Sequence, residues 1–301
     1  MPRLASISLW LLGAILALYI GVSALAWMYQ GRMIYPAPLA RAGVPPGFER
    51  ITYRTADGLE LSAGYRAARG DLPTLLFFHG NGADWQSTAG VTQRLAAHGF
   101  GVLAAEYRGY GGNPGVPSEN GLYADGRAAF LYLREHGVAP NRTVLVGNSL
   151  GSGVATQLAG EVDALALVLI SPFDSLEATA SRHMRWLPVR TLLRDRYDNA
   201  GKLGRITIPV LILHGEADTL ISLDQARRLA AARPDTELIT YPEWGHDLVL
   251  HEEVQMRIAE AIHGIAARST DPSPHAGGHA CGRQMHPGQC QPQHDRQQPQ
   301  A

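Results

Sequence analysis

The stretch "LVGNSLGSGVA", Leu145 to Ala155, sets one serine between two glycines directly after a run of apolar residues. Val144, Leu145 and Val146 read as a buried strand and Leu150–Ala159 as a helix. Gly147-Asn148-Ser149-Leu150-Gly151 is therefore a G-x-S-x-G turn joining the two. So sharp a turn leaves no space for side chains next to the serine, which the glycines allow for. It pushes the hydroxyl outward, and the helix that follows offers backbone N–H groups to any negative charge forming there.

A serine hydroxyl is a weak nucleophile alone; it needs a histidine to take its proton and a carboxylate to orient that histidine. Behind this type of turn the chain order is nucleophile, acid, base. The loop in "VLILHGEADTLIS" supplies the acid, with Asp218 favoured and Glu216 as its competitor. Asp224 is better explained as stabilising the start of the next helix. "YPEWGHDLVL" supplies the base, His246, and Gly245 before it gives the loop freedom to turn the ring toward Ser149. His251 falls on or near the following helix. The charge on a tetrahedral intermediate also needs fixed donors. These are expected from the backbone N–H of Leu150 and from that of Asn81 in "FFHGNGADW". His79 precedes the nucleophile and reads as a structural hydrogen-bonding residue.

These residues need a scaffold that collects them at one end. Short apolar runs alternate with amphipathic stretches of helical length, the pattern of an α/β fold with a mostly parallel sheet covered by helices on both faces. A hairpin is predicted at residues 50–67, turning at Asp57-Gly58. Strands are predicted at Thr74–Phe78, Gly101–Ala105, Thr143–Gly147, Ala164–Ser171, Val210–His214 and Glu237–Tyr241. Helices are predicted near Asp84–His98, Ser118–Glu135, Leu150–Ala159, Asp224–Ala232 and His251–Arg268. Ser222 and Gln225 have the spacing of a capping box. Every candidate residue then falls just past a strand's carboxyl end, where open sheets bind ligands. The glycine-rich loop Tyr107–Gly121 lacks the ending of a phosphate-binding loop and reads as a rigid turn on the site's rim. Residues 172–209 interrupt the alternation and are the expected lid; Phe173, Met184, Trp186 and Leu187 could line an acyl pocket or simply pack on the sheet.

The two ends of the chain differ from its body. No charged residue lies between Arg3 and Arg32, a run long enough to cross a hydrocarbon core. Trp27 and Tyr29 suit the headgroup level. Residues 1–31 are thus expected to be a single-pass membrane anchor; the alternative is a signal peptide cleaved after Ala24-Leu25-Ala26. The hydrolytic body, residues 32–268, would lie outside the cytoplasm, on the periplasmic side of a bacterium. Residues 269–301 are rich in Pro, Gly, Gln and His and read as a disordered tail. Both cysteines, Cys281 and Cys290, lie there, with a spacing that matches no zinc template. A formal net charge of −1 gives no reason to expect a nucleic-acid partner.

The segments "FFHGNG", "EYRGYGGNPGVPSENGLYADGRAAFLYL", "VGNSLGSGVA", "SPFDSL", "PVLILHGEADTLIS" and "GH" together resemble the α/β-hydrolase superfamily, specifically its single-pass membrane-anchored serine hydrolases, a group that includes protein depalmitoylases. The resemblance spans Leu75 to His246 and implies Ser149, Asp218 and His246 as a catalytic triad, with no cofactor and no metal. One departure is Glu106, which stands where an aspartate is usual and is expected to alter only a contact with Arg108. The function implied is cleavage of a carboxylic ester or thioester of a small-molecule or lipid-like acyl substrate through an acyl-enzyme. A peptidase or amidase is the rival within enzymes. A catalytically idle binding protein is the rival outside them, although no triad member is missing.

Overall fold

The computed structural model describes residues 2–38 and 43–270. Eight strands form one sheet: β1 (Glu49–Arg54), β2 (Glu60–Arg66), β3 (Thr74–Phe78), β4 (Gly101–Ala105), β5 (Thr143–Asn148), β6 (Ala166–Ile170), β7 (Val210–Gly215) and β8 (Glu237–Tyr241). Their order across the sheet is β1-β2-β4-β3-β5-β6-β7-β8. β2 runs antiparallel to both its neighbours, and all pairs from β4 to β8 are parallel. The β1–β2 hairpin turns where expected, with Gly58 at φ 89°.

The parallel strands β3 to β7 are buried on both faces, which is why they read as unbroken apolar runs. Successive residues of β3 go to opposite cores. Leu76 and Phe78 face the core that α4 (Glu119–Glu135), α5 (Leu150–Ala159) and, further along the sheet, α9 (Leu223–Ala231) share. Leu75 and Phe77 pack with Leu95 of α3 (Gln93–Ala97) and with Val254, Ile258 and Ile262 of α10 (Glu252–Thr270). This two-sided burial fixes the register, since a one-residue slip would exchange the cores.

Two local expectations fail. The helix expected over Asp84–His98 is two, α2 (Trp85–Val91) and α3, broken where the Thr92 hydroxyl donates to the Thr88 carbonyl. The capping box at Ser222 does not form: Ser222 makes no side-chain cap bond, and the Gln225 amide oxygen instead accepts from Thr179. Thr179 belongs to the insertion, which folds as α6 (Leu176–His183), α7 (Val189–Leu192) and α8 (Asn199–Leu203). That insertion is called the cap below. The long helix α1 (Pro2–Ile34) precedes the sheet. Residues 271–301, which carry both cysteines and most of the expected tail, lie outside the described residues.

Candidate active site

Ser149 follows β5 and immediately precedes α5. Its backbone sits at φ 50° and ψ −115°, a conformation that side chains rarely adopt, and its N–H donates to the Ile170 carbonyl of β6. The flanking glycines are required by contact. A Cβ at Gly147 would lie 2.5 Å from the Gly151 carbonyl oxygen, and one at Gly151 would lie 2.1 Å from that of Phe78. The elbow therefore closes only because two side chains are missing.

The structure brings three of the expected residues together. His246 Nε2 lies 2.9 Å from Ser149 Oγ, and His246 Nδ1 lies 2.7 Å from Asp218 Oδ2. The other carboxylate oxygen, Oδ1, accepts from the backbone N–H of Leu220 and of Ile221, each at 2.9 Å. Burial works against the Asp218 charge, but the His246 hydrogen bond and the Ile221 N–H outweigh it and hold the carboxyl below its ordinary value. Glu216 is exposed and accepts from the Thr240 hydroxyl instead. Asp224 stands in the first turn of α9, and the His251 ring stacks on Trp244, so neither joins the line.

The loops after β7 and β8 are tied to each other by their backbones. Glu216 N–H donates to Tyr241 and Ala217 N–H to Trp244. The close approach is made at Gly215, where a Cβ would lie 2.2 Å from the Trp244 carbonyl oxygen. Gly245, expected to free the loop, adopts no left-handed conformation and has no tight contact. Closeness at Gly215, rather than flexibility at Gly245, delivers the imidazole.

On the other side of Ser149 stands a second histidine–carboxylate pair. His79 follows β3, Glu106 follows β4, and His79 Nε2 lies 2.6 Å from Glu106 Oε1. His79 Nδ1 donates to the Gly80 carbonyl at 2.8 Å, since that oxygen can only accept. Burial opposes a charge on this ring, but Glu106 and the Gly80 carbonyl outweigh it and raise its pKa. In a trans peptide the carbonyl and the following N–H point in opposite directions. Fixing the Gly80 carbonyl inward thus turns the Asn81 N–H away from the buried ring. The turn abuts the nucleophile, since a Cβ on Gly80 would lie 3.2 Å from Ser149 Cβ. Leu150 is the first residue of α5, and its N–H has no acceptor within the helix.

The sequence profile of the serine aminopeptidase S33 family matches residues 72–200 and 198–253. The chain belongs to this family of α/β-hydrolases. Among relatives, an uncharacterized protein of Mycobacterium tuberculosis is 38% identical over 236 residues, covering 75% of this chain and 84% of that one. Human alpha/beta hydrolase domain-containing protein 17B is 32% identical over 196 residues, covering 63% and 66%. Among solved structures, the Pyrococcus furiosus esterase Pf2001 superposes with a TM-score of 0.65 at 21% identity, covering 76% of this chain and 97% of that one. An esterase domain from Rhodothermus marinus gives 0.57 at 19%, covering 73% and 98%. At these identities the structural likeness is one of fold.

One detail of the hydrolase corrects the sequence reading. Glu106 does not touch Arg108: besides His79 it accepts from the N–H groups of Trp85 and Tyr107. Arg108 is held by Asp125 and Asp57, which fastens the glycine-rich rim loop to α4 and to the first hairpin.

Two supporting residues lie within the quoted segments but were given no role from sequence. Buried His214 donates from Nε2 to the Ile221 carbonyl at 2.9 Å, bracing the turn that holds Asp218; burial lowers its pKa by disfavouring a charge on the ring. Ser171, at φ 46° after β6, donates to the His246 carbonyl at 3.3 Å. In the cap, Phe173 is buried against Tyr197, whereas Trp186 is exposed.

Proposed function

We propose that this hydrolase cleaves carboxylic esters or thioesters through an acyl-enzyme formed on Ser149. The observation that carries the reading is the unbroken line Ser149–His246–Asp218, with the serine held in a strained elbow. His246 Nε2 takes the hydroxyl proton as Ser149 Oγ bonds to the acyl carbon. Asp218 holds Nδ1–H and stabilises the imidazolium. The oxyanion of the tetrahedral intermediate is met by the N–H groups of Leu150 and Asn81. His246 then protonates the leaving alcohol or thiol, and water attacks the acyl-enzyme by the same route. His79 acts by positioning, through the Gly80–Asn81 peptide.

The test is covalent labelling by a fluorophosphonate, followed by turnover of p-nitrophenyl esters of increasing chain length against matched p-nitroanilides. Labelling at Ser149 with ester turnover supports the reading. Faster anilide turnover would favour the amide-cleaving alternative that the family's description carries. No labelling of the folded chain would favour the idle binding protein.

The same reading makes α1 a membrane anchor, with the body outside the cytoplasm. Residues Ser6–Ile34 are long and apolar enough to cross a membrane and lie exposed over most of their length. Retention in carbonate-washed membranes with an intact N-terminus is the expected result, and protease accessibility of the body reads its side. A soluble product beginning at Trp27 would make the segment a signal peptide.

A further inference from the structure

α1 is not clear of the body along its whole length. Every residue from Ser6 to Leu18 is exposed, but the face formed by Tyr19, Ser23, Ala26, Gln30 and Ile34 meets the rest of the chain. The Tyr19 hydroxyl donates to the Trp186 carbonyl at 3.1 Å, and Ser23 is buried. Ala26, Gln30 and Ile34 share an apolar cavity with Met184, Leu187 and Leu192 of the cap. Gln30 donates to the Leu192 carbonyl and accepts from the Arg194 N–H. Just past the helix, buried Tyr35 hydrogen-bonds both Tyr197 and Asp195. Tyr197 packs on Gly153 of α5, where an added Cβ would lie 2.3 Å from its ring. The helix is therefore fixed to the cap, and through it to the element that carries Ser149.

This docking limits how deep the body can stay out of a bilayer. The uncharged run begins at Leu4, so the length of α1 from there to Leu18, ahead of the hydrogen bond at Tyr19, is 15 residues. At about 1.5 Å per residue it spans roughly 22 Å. A hydrocarbon core is about 30 Å thick. The missing distance, roughly 8 Å or about five residues, reaches Ser23, and tilting the helix lengthens the path. Over those residues the cap lies alongside.

Its composition there suits lipid. Trp186 is exposed and flanked by Met184 and Leu187, while Arg182, Arg185 and Arg194 have no carboxylate partner among the described residues. Between Arg182 and Arg196 the sequence holds five arginines and one acidic residue, Asp195. The Arg194 guanidinium lies 3.9 Å from the ring centre of Trp27, one turn beyond Ser23. Amphipathic aromatics and snorkelling arginines both favour the headgroup level.

We infer that the cap segment Met184–Leu187 enters the near leaflet beside α1, with Arg182, Arg185 and Arg194 at the level of anionic lipid phosphates. The inference rests on α1 being a membrane anchor. The consequence concerns substrate class. α6, which leads into this segment, is joined by His183 Nε2 to the carbonyl of Leu220, two residues past Asp218. An acyl ester that keeps its chain in the bilayer would reach Ser149 along the cap, without first entering water.

The test uses the full chain, with Cys281→Ser and Cys290→Ser, reconstituted in phosphatidylcholine–phosphatidylglycerol vesicles. An environment-sensitive fluorophore is attached through Trp186→Cys, or in a parallel sample through Val116→Cys on the exposed rim loop. Unfolding midpoints equal to that of the parent show that the labelled chains are folded. At position 186 the expected result is quenching by a nitroxide high on the lipid acyl chain and several-fold weaker quenching by aqueous iodide than at position 116. Equal iodide quenching at both positions, without nitroxide quenching, would overturn the inference while leaving the anchor intact; the bilayer would then have thinned around the helix. Release of the chain by alkaline carbonate would remove the anchor and the inference together. Loss of fluorophosphonate labelling alone would touch only the hydrolase reading.

Discussion

Two histidine–carboxylate pairs flank Ser149, and their chemistry differs although their parts are the same. His246–Asp218 and His79–Glu106 both sit past the carboxyl ends of parallel strands, at 2.7 and 2.6 Å. The first ring is partly exposed and aims its remaining nitrogen at a hydroxyl that can give up a proton. The second is sealed, and its remaining nitrogen donates to a backbone carbonyl that can give none back. A paired imidazole becomes a base only when its second nitrogen is left an acceptor facing the nucleophile. Otherwise it is a brace. In the proposed mechanism the brace orients the peptide that receives the negative charge the base helps to create.

Substitutions can break or sharpen this contrast. The largest effect is expected from His246→Gln, a loss in kcat of about 10⁶-fold, the scale seen when a triad base is removed from another serine hydrolase. Asp218→Asn should cost about 10⁴-fold by supplying the wrong tautomer, while Glu216→Gln leaves esterase turnover nearly unchanged. A reversal of those two would mean that the loop rearranges to offer Glu216. His79→Gln should cost about 10²–10³-fold in kcat with little change in KM, the loss expected when one oxyanion donor is misdirected. Were it as damaging as His246→Gln, with fluorophosphonate labelling abolished, the positioning role would be wrong.

The pairs should also differ in how pH affects stability. The Asp218 pKa is lowered, so its contribution is complete above the unfolded value of about 3.9 and is lost as pH falls through the lower folded value. The His79 pKa is raised, so its contribution is complete below about 6.5 and is lost as pH rises through the higher folded value. Denaturant titrations should therefore show the stability gap between the wild type and His79→Gln at its widest below about pH 6.5 and narrowing above it. A gap that widened on alkalinisation would contradict the raised pKa of His79. The smallest effect is expected from removing residues 269–301, which should change neither esterase activity nor melting temperature, because that composition cannot form a core.

The strands, most of the helices and the elbow were legible from sequence because each depends on neighbours along the chain. Period-two and unbroken apolar runs report burial, and paired glycines report a turn that tolerates no Cβ. The order of serine, acidic loop and histidine loop narrowed the site to a few residues. It favoured Asp218 over Glu216, two positions apart in one turn, but could not fix that choice. That choice is made by the amides of Leu220 and Ile221 on one side and by Thr240 on the other. Nor could it reveal that Glu106 serves His79, that His214 braces the Asp218 turn, or that Gln225 leaves its own helix cap for Thr179. The proposed anchor was visible as an uncharged run; the docking of that helix on the cap through Tyr19, Gln30 and Tyr35 was not. Backbone stereochemistry and apolar periodicity are local and survive in the linear sequence. Which donor meets which acceptor across 27, 97 or 162 residues is decided only when packing fixes the distances.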